Sequence, residues 1–239
     1  MSGLFSKKPN NQLLVDMHSH FIPGIDDGAR DLENSVSMAK EMVNLGFQKL
    51  ITTPHIHPKY PNEERRILAS SLDLKDHLES HNVNIEIDVA AEYYVDENFL
   101  VKLNDGTELL TFGDNYLLVE CSFISKPLYF ESVVYQIKEH GYQPVFAHPE
   151  RYIFLEDDPT WLKELKSTGL LFQVTLGSIG GGYGKTARKL GLDLIKNKMV
   201  DFLASDLHNL SQVAPLQKGL ADRDVQNLLG SGKLLNQTL

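Results

Sequence analysis

Residues 16–28 read Asp-Met-His-Ser-His-Phe-Ile-Pro-Gly-Ile-Asp-Asp-Gly and follow a short apolar run. The imidazoles of His18 and His20 point to the same side if the backbone is extended, because side chains alternate along a strand. Two acids follow in a loop bounded by glycines. Imidazoles and carboxylates are ligands that suit zinc, manganese and iron. On its own the pattern is more typical of two surface histidines beside a polar turn, so the rest of the chain decides between the two interpretations.

The length and composition are those of a globular protein. A chain of 239 residues, 42% of them hydrophobic, suits one large α/β domain or two small ones. We expect a single domain over residues 1–239, with residues 1–12 as a flexible N-terminal extension. Cys121 is the one cysteine, which excludes a disulfide framework. Neither a signal peptide nor a membrane-spanning run is present in the sequence, so we expect a cytoplasmic protein without membrane insertion.

The formal charge of −9 restricts the partners that the chain can bind. It argues against nucleic-acid binding, which requires a basic surface. An anionic substrate would need positive charge supplied locally, and bound metal ions would supply it.

Short apolar or β-branched runs alternate with helical stretches along most of the chain. Strands are predicted at residues 13–17, 49–53, 85–91, 116–120, 144–147, 170–176 and 200–204. Helices are predicted at residues 32–45, 63–81, 129–140, 159–167, 185–198 and 213–229, whereas the period over 97–114 is unclear. This alternation indicates an α/β fold with a mainly parallel sheet, either open and doubly wound or closed as a TIM-like barrel.

The polar residues at the strand ends favour the closed barrel, whose chemistry sits at the carboxyl ends of many strands. Six of the seven predicted strands deliver a His, Asp or Glu at that end. With the loop acid of the first motif they give nine side chains of ligand type: His18, His20, Asp27, His55, Glu92, Glu120, His148, Asp206 and His208. A single zinc ion uses about four ligands. Nine ligands suit two or three metal ions that share bridging carboxylates, an arrangement able to catalyse phosphoryl transfer.

Six motifs, in this order, carry a family resemblance: DMHSHFIPGIDDGA, TPH, AAE, VE, AHPERY and ASDLHN. They resemble the polymerase-and-histidinol-phosphatase (PHP) superfamily. Within it they are most similar to bacterial manganese-dependent protein-tyrosine phosphatases encoded with capsule and exopolysaccharide genes. The likeness covers residues 16–209 and implies a distorted TIM-like barrel of about seven β/α units, with a metal site at the carboxyl ends of the strands.

The resemblance also implies three divalent metal ions, with manganese expected and iron or zinc as alternatives. The first ion would be held by His18, His20, Glu92 and Asp206. Glu92 would bridge to a second ion completed by Glu120 and His148. A third ion would be held by Asp27, His55 and His208. The family match favours Asp27 over Asp26 as the ligand, with Asp26 shaping the loop.

We expect hydrolysis of a phosphate monoester by a hydroxide that bridges two metal ions. Arg151 is the candidate phosphate clamp, since a guanidinium binds oxyanions bidentately, and a buried ion pair with an acid is its alternative role. Arg151, Asp206 and His208 are the predicted catalytic residues. Cys121 lacks the phosphate loop of the cysteine phosphatases and is interpreted as a small core residue.

The resemblance implies a phosphotyrosine protein as substrate, most simply the tail of a bacterial tyrosine kinase that regulates polysaccharide export. Two alternatives remain open. One is another phosphoesterase of the superfamily, such as histidinol-phosphate phosphatase. The other is a non-catalytic, metal-stabilised binding domain.

Three further histidines are interpreted as peripheral. His57 is close to His55 but is assigned to the rim. His77 and His81 are spaced four residues apart on a predicted helix, a geometry that can bind zinc, yet neither lies at a strand end, so we interpret them as part of a solvated helix face.

Overall fold

A computed structural model of the chain describes residues 13–155 and 160–239. Within these ranges nine short strands pair only in parallel and form two sheets, of order β1-β2-β4 and β3-β5-β6-β7-β8-β9. The strands are β1 (Val15–Asp16), β2 (Lys49–Thr52), β3 (His55–Ile56), β4 (Glu86–Val89), β5 (Glu92–Tyr94), β6 (Tyr116–Glu120), β7 (Gln143–Ala147), β8 (Leu171–Thr175) and β9 (Phe202–Ala204).

Helices separate most of the strands, which confirms the predicted α/β fold with parallel sheets. They are α1 (Leu32–Leu45), α2 (Glu64–Ser80), α3 (Glu97–Asn104), α4 (Phe130–Glu139), α5 (Thr160–Ser167), α6 (Leu176–Ile179), α7 (Gly184–Lys196), α8 (Val213–Leu220) and α9 (Arg223–Gly230). None of these helices is both long and apolar enough to cross a membrane. The predicted N-terminal extension, residues 1–12, and the first residue of the helix predicted at 159–167 lie outside the described residues.

Two short strands outside the predicted ranges, β3 and β5, follow β2 and β4 after a break, and these breaks separate the two sheets. Pro54, between β2 and β3, has no N–H to give to a ladder. Hydrogen bonds nevertheless cross the break: the Ala90 N–H donates to the Thr52 carbonyl (2.9 Å) and the Glu92 N–H to the Pro54 carbonyl (3.1 Å). The two sheets therefore meet along this line.

The chain after β1 also meets the chain after β9. Ser19 and Leu207 form an isolated parallel bridge. The Asp206 N–H donates to the His18 carbonyl at 2.9 Å, and the buried Asp16 carboxylate accepts the Ser205 N–H at 2.8 Å. These contacts hold the two ends of the strand sequence together.

The C-terminal segment strengthens the same junction. The buried Asn236 side chain accepts the Leu203 N–H (2.9 Å) and donates to the Leu203 carbonyl (2.8 Å) and to the Val15 carbonyl (3.2 Å). One side-chain amide thus satisfies backbone groups of β9 and β1 that would otherwise be unpaired.

The buried apolar residues form two clusters, and the strands supply both by alternation. Leu117 and Val119 face the larger cluster, whereas Leu118 between them faces the smaller one. The smaller cluster comprises Met17, Ile51, Ala90, Phe112, Leu118, Val145, Ala147, Phe202 and Ala204. Side chains alternate along a strand with period two. The residues that extend this face at the carboxyl ends of the strands therefore all lie on the same side of the sheet.

The prediction of a single helix over 213–229 is wrong, because α8 ends at Leu220 and α9 begins at Arg223. Asp222 accounts for the break: its side chain accepts the Asp224 N–H at 2.9 Å and caps a new helix. The 97–114 segment, whose period was unclear, contains α3 followed by irregular chain.

Candidate metal centre

The carboxyl ends of the strands place four of the candidate ligands on the face that continues the smaller core cluster. Glu92, Glu120 and Asp206 stand two residues after Ala90, Leu118 and Ala204, which belong to that cluster. His55 stands four residues after Ile51. Since alternate residues share a face, the acids and the imidazole lie directly above the apolar interior.

Two of the candidate ligands adopt a backbone conformation that is uncommon for residues other than glycine. His148 has φ of 38° and Asp206 has φ of 50°. Strained backbone of this kind concentrates at functional sites, where the surrounding structure holds it in place. In both cases the strand has just ended and the left-handed residue redirects the chain.

His18, His20 and Asp206 converge at the centre of the site. The two Nε2 atoms are 3.2 Å apart, and the Asp206 Oδ1 atom is 3.2 Å from His18 Nε2 and 3.3 Å from His20 Nε2. Glu92 Oε2 lies 3.3 Å from His18 Nε2. All four side chains are buried.

Glu92 also reaches the second part of the cluster. Its Oε1 atom is 2.9 Å from His148 Nε2, and its Oε2 atom is 2.9 Å from His55 Nδ1. Glu120 lies beside both imidazoles, at 3.2 Å from His55 Nδ1 and 4.0 Å from His148 Nε2. Glu92 is thus the carboxylate with contacts on both sides of the cluster.

Asp27 and His208 form the outer part of the cluster. Asp27 Oδ1 is 3.4 Å from His55 Nε2 and 3.6 Å from His208 Nε2, and its side chain is half exposed. The ring of His208 stacks on that of His20 with centroids 3.9 Å apart. The structure therefore brings all nine predicted ligand side chains together.

Asp26 and Asp27 occupy different places. The Asp26 carboxylate accepts the Gly28 N–H (2.9 Å) and the His55 N–H (3.1 Å), and it pairs with His20 Nδ1 (2.8 Å). Asp26 thus shapes the loop and orients an imidazole, whereas Asp27 points its carboxylate at the cluster.

Hydrogen bonds to Nδ1 orient three of the five candidate imidazoles, those of His18, His20 and His208. His18 Nδ1 donates to Gln173 Oε1 (2.9 Å), and His208 Nδ1 donates to the Asp206 carbonyl (3.0 Å). His20 Nδ1 is held by Asp26. Each contact occupies Nδ1 and directs Nε2 inward, the arrangement typical of histidine metal ligands.

Unpaired buried atoms test whether the residues fit metal ions. Among the described residues, His55 Nδ1, Glu92 Oε2 and Asp206 Oδ1 are buried without a hydrogen-bond partner, although neighbouring candidate ligand atoms lie at contact distance. Two ligands of one ion are about 3.0–3.4 Å apart when each bond is about 2.1 Å. The observed separations near this range fit ions placed between the ligand atoms.

The titratable side chains of the cluster have pKa values shifted by burial and by their charged neighbours. Burial, with the nearby Arg151 guanidinium, lowers the pKa of His148 to about 4, and burial with the neighbouring His20 lowers the pKa of His208 to about 4. Against the opposing effect of burial, the imidazoles of His18 and His208 hold the pKa of Asp206 well below its usual range. Against the opposing effect of burial, neighbouring carboxylates raise the pKa of His18, of His20 to about 9, and of His55. Metal ions bind neutral imidazoles and ionised carboxylates, so cations bound here would displace the protons of these three rings.

Arg151 lies beside this centre. It pairs with Asp206 through Nη1, and its guanidinium is stacked between two aromatic rings, 4.2 Å from the Tyr183 centroid and 5.1 Å from that of Phe123. Its ion pair is therefore with Asp206 and not with the adjacent Glu150, whose Oε1 accepts the Ser178 hydroxyl at 2.7 Å. A stacked guanidinium keeps donors free in its plane.

Gln173 is a site residue that the sequence did not reveal. This buried β8 side chain accepts from His18 Nδ1 (2.9 Å) and from the His148 N–H (3.2 Å), so it orients two candidate ligands at once. A polar residue inside the otherwise apolar run Leu-Phe-Gln-Val-Thr was the available signal.

Gly28 closes the loop of the first motif. A Cβ atom at this position would lie 2.3 Å from the His20 carbonyl oxygen and 2.4 Å from the His20 Cβ. Only glycine permits the backbone to approach the candidate ligand His20 so closely.

The residues set aside in the sequence occupy peripheral positions. His57 packs edge-on against Tyr94, with ring centroids 4.3 Å apart, outside the ligand cluster. Cys121 is buried, and burial raises the pKa of its thiol, which is unfavourable for a nucleophilic thiolate.

Comparisons with known proteins show which family this chain belongs to. The sequence model of a family described as capsular polysaccharide synthesis, CpsB/CapC, matches residues 14–230. The tyrosine-protein phosphatase YwqE of Bacillus subtilis is 33% identical over 202 residues, which cover 82% of this chain and 78% of YwqE.

Solved structures of other proteins are also similar to this chain. A chain from the crystal structures of YwqE from Bacillus subtilis and CpsB from Streptococcus pneumoniae, described as metal-dependent tyrosine phosphatases, superposes with a TM-score of 0.83 at 29% identity and covers 94% of both chains. A histidinol phosphate phosphatase from Lactococcus lactis has a TM-score of 0.52 at 12% identity, covering 87% of this chain and 91% of that one, which indicates a shared fold alone.

Proposed function

The chain belongs to the capsular polysaccharide synthesis family CpsB/CapC, and we propose that it is a metal-dependent phosphatase that hydrolyses protein phosphotyrosine. One observation carries the proposal. Nine ligand-type side chains converge at the strand ends, with buried atoms that have no hydrogen-bond partner, and a stacked guanidinium lies directly beside them.

The nine side chains would hold three divalent ions, with manganese as the proposed metal. His18, His20, Glu92 and Asp206 would hold the first, Glu92, Glu120 and His148 the second, and Asp27, His55 and His208 the third. The contacts of Glu92 with both His18 and His148 support a bridging role. When bound, such ions lower the pKa of coordinated water and neutralise charge on phosphoryl oxygens.

The protein's own residues would orient the substrate. Arg151 has more donors than its contact with Asp206 uses, so it can also bind two phosphoryl oxygens. Phe123 and Tyr183 hold the guanidinium plane between them and so fix the direction of those donors. A tyrosine leaving group has an ordinary pKa of about 10, so its departure needs less help from a general acid than that of an alkyl alcohol.

A capsule-related tyrosine kinase tail is the proposed physiological substrate. The family description supports a role in capsular polysaccharide synthesis, and the named relatives are tyrosine phosphatases. The similarity in fold to a histidinol phosphate phosphatase keeps that small substrate as the second candidate.

We also infer that the two sheets make up one distorted, seven-unit barrel within a single domain. The hydrogen bonds from Ala90 and Glu92 across the break at Pro54 support continuity on one side. The bridge between Ser19 and Leu207 supports closure on the other. In such a barrel the carboxyl ends of the strands form one rim, where the nine side chains lie.

The test is phosphate release from a phosphotyrosine peptide, from p-nitrophenyl phosphate and from histidinol phosphate, with added Mn²⁺ and after chelation. Asp206→Asn should lower kcat/KM at least about 100-fold, since even a partner that only orients a ligand is worth 10–100-fold. Arg151→Lys should lower it about 10- to 100-fold through loss of a charge-assisted, bidentate contact.

Asp114→Asn is the matched control, because this exposed acid precedes β6 at the opposite end of the strand from Glu120. Turnover that survives chelation, or an Asp206→Asn variant as active as Asp114→Asn, would refute the proposal. A clear preference for histidinol phosphate over the peptide would instead favour the second candidate.

A further inference from the structure

A second group of ligand-type side chains lies where α1 contacts α2. Glu33 is in the first turn of α1, and His77 is in the last turn of α2, which His81 caps. Glu33 Oε1 is 3.2 Å from His77 Nε2 and 3.8 Å from His81 Nε2, and the two imidazole centroids are 4.3 Å apart. The sequence predicted only a solvated face here, because the carboxylate comes from a distant part of the chain.

The local hydrogen bonds prepare His81 as a ligand. His81 Nδ1 lies 2.9 Å from the His77 carbonyl. A carbonyl oxygen can only accept, so Nδ1 carries the proton and Nε2 presents its lone pair towards Glu33. A backbone carbonyl that fixes the tautomer in this way is a recurrent feature of histidine metal ligands.

The spacing of the three groups fits one ion. One ligand atom from each of Glu33, His77 and His81 lies within 4.8 Å of the other two. Ligands of a tetrahedral ion are about 3.4 Å apart, so the measured 3.2 and 3.8 Å require little movement. Histidines four residues apart on a helix present their rings on the same face.

We propose that Glu33, His77 and His81 form a separate binding site for a transition-metal ion of the zinc, copper or nickel class. Imidazole nitrogen suits zinc, copper and nickel, and these ions bind a given nitrogen and oxygen site more tightly than manganese does. The side chains are partly exposed (24% for His77 and 34% for His81), so water completes the coordination. Binding ties the first turn of α1 to the last turn of α2.

The site shares no residue with the nine candidate ligands of the metal centre. Its test therefore does not depend on phosphatase activity. His140 offers a matched control: it caps α4 and its Nδ1 makes the same bond to a carbonyl four residues earlier, Gln136, at 2.8 Å. Among the described residues no second imidazole or carboxylate joins it in a ligand group.

The experiment uses the full chain without a polyhistidine tag, saturated first with Mn²⁺ and then dialysed against excess Zn²⁺. Wild type should retain one Zn²⁺ per chain more than His77→Ala or His81→Ala, and should bind immobilised Ni²⁺ where those variants do not. The increase in unfolding temperature that Zn²⁺ causes should also be larger for wild type than for either variant.

Two checks keep the result interpretable. Glu33→Gln preserves shape and should weaken Zn²⁺ binding without loss of the fold, and all three variants should keep the basal turnover of p-nitrophenyl phosphate. Equal zinc content in wild type and His81→Ala overturns the proposal. So does an equal loss in His140→Ala.

Discussion

Gln173→Leu isolates the contribution of one buried amide to the metal centre. Leucine has a similar volume, but it removes the acceptor for two buried donors, His18 Nδ1 (2.9 Å) and the His148 N–H (3.2 Å). An unsatisfied buried donor costs about 1–3 kcal/mol, so the metal-free protein should lose about 2–6 kcal/mol of unfolding free energy. Partners that orient ligands are worth 10–100-fold in metal affinity, so half-maximal activity should require about 10–100-fold more Mn²⁺.

The assay is phosphate release as a function of Mn²⁺ concentration, together with urea unfolding of the chelated protein. The activity at saturating Mn²⁺ should approach that of wild type, because Gln173 orients ligands and does not contact the cluster interior. Gln173→Glu keeps an acceptor for both donors and should bind Mn²⁺ more tightly than the leucine variant. Gln143→Leu, on the neighbouring strand at its other end, is the control. A Mn²⁺ requirement for Gln173→Leu equal to that of the control would refute the reasoning.

The other predictions concern the thiol, the ligand loop and a buried acid. Cys121 is buried and its thiol has a raised pKa, so it should resist iodoacetamide until the protein is unfolded. The Cys121→Ala variant should keep its activity. Inactivation by alkylation of the native protein would contradict this prediction. Gly28→Ala should lower the free energy of unfolding in urea by about 1–3 kcal/mol and weaken Mn²⁺ binding, because the added Cβ would meet the backbone of His20. Unchanged values would contradict this prediction by showing that the loop can move. Burial raises the pKa of Glu150 from 4.5 to about 7. The folded state therefore favours the neutral acid, and the stability of the chelated protein should fall by up to about 3 kcal/mol as the pH rises from about 4.5 to about 7. Glu150→Gln should remove that fall, and an identical pH profile would exclude Glu150 as its source.

The placement of Arg151 addresses the charge problem of an acidic chain that is proposed to bind phosphate. The formal charge is −9, and four of the nine candidate ligands are carboxylates. Asp206 draws Arg151 to the edge of the cluster, and the rings of Phe123 and Tyr183 hold it there. Bound cations would add further positive charge where the phosphate is proposed to bind.

The alternation of strands and helices could be predicted because it depends on local periodicity. The short apolar run at 116–120 gave β6 with its observed bounds, and Gly46, with φ of 97°, ends α1 where predicted. The 213–229 prediction failed because the apolar pattern continues through a break that the cap at Asp222 imposes. The short strand β3 was not predicted, because Pro54, which separates it from β2, gives no N–H to a ladder.

The sequence by itself determined the kinds of chemical group available and the strand ends that carry them, since the candidate ligands other than the loop acid Asp27 lie at or just after the ends of predicted strands. Only the tertiary structure decided which atoms face one another. Asp26 is paired with His20, Arg151 with Asp206, and Gln173 with His18 across 155 positions of the chain. Local sequence encodes the direction of a side chain relative to its own backbone, whereas distances between strands follow from the packing of the whole sheet. The same reason explains Glu33, which completes a histidine pair on another helix that the sequence alone predicted to be solvated.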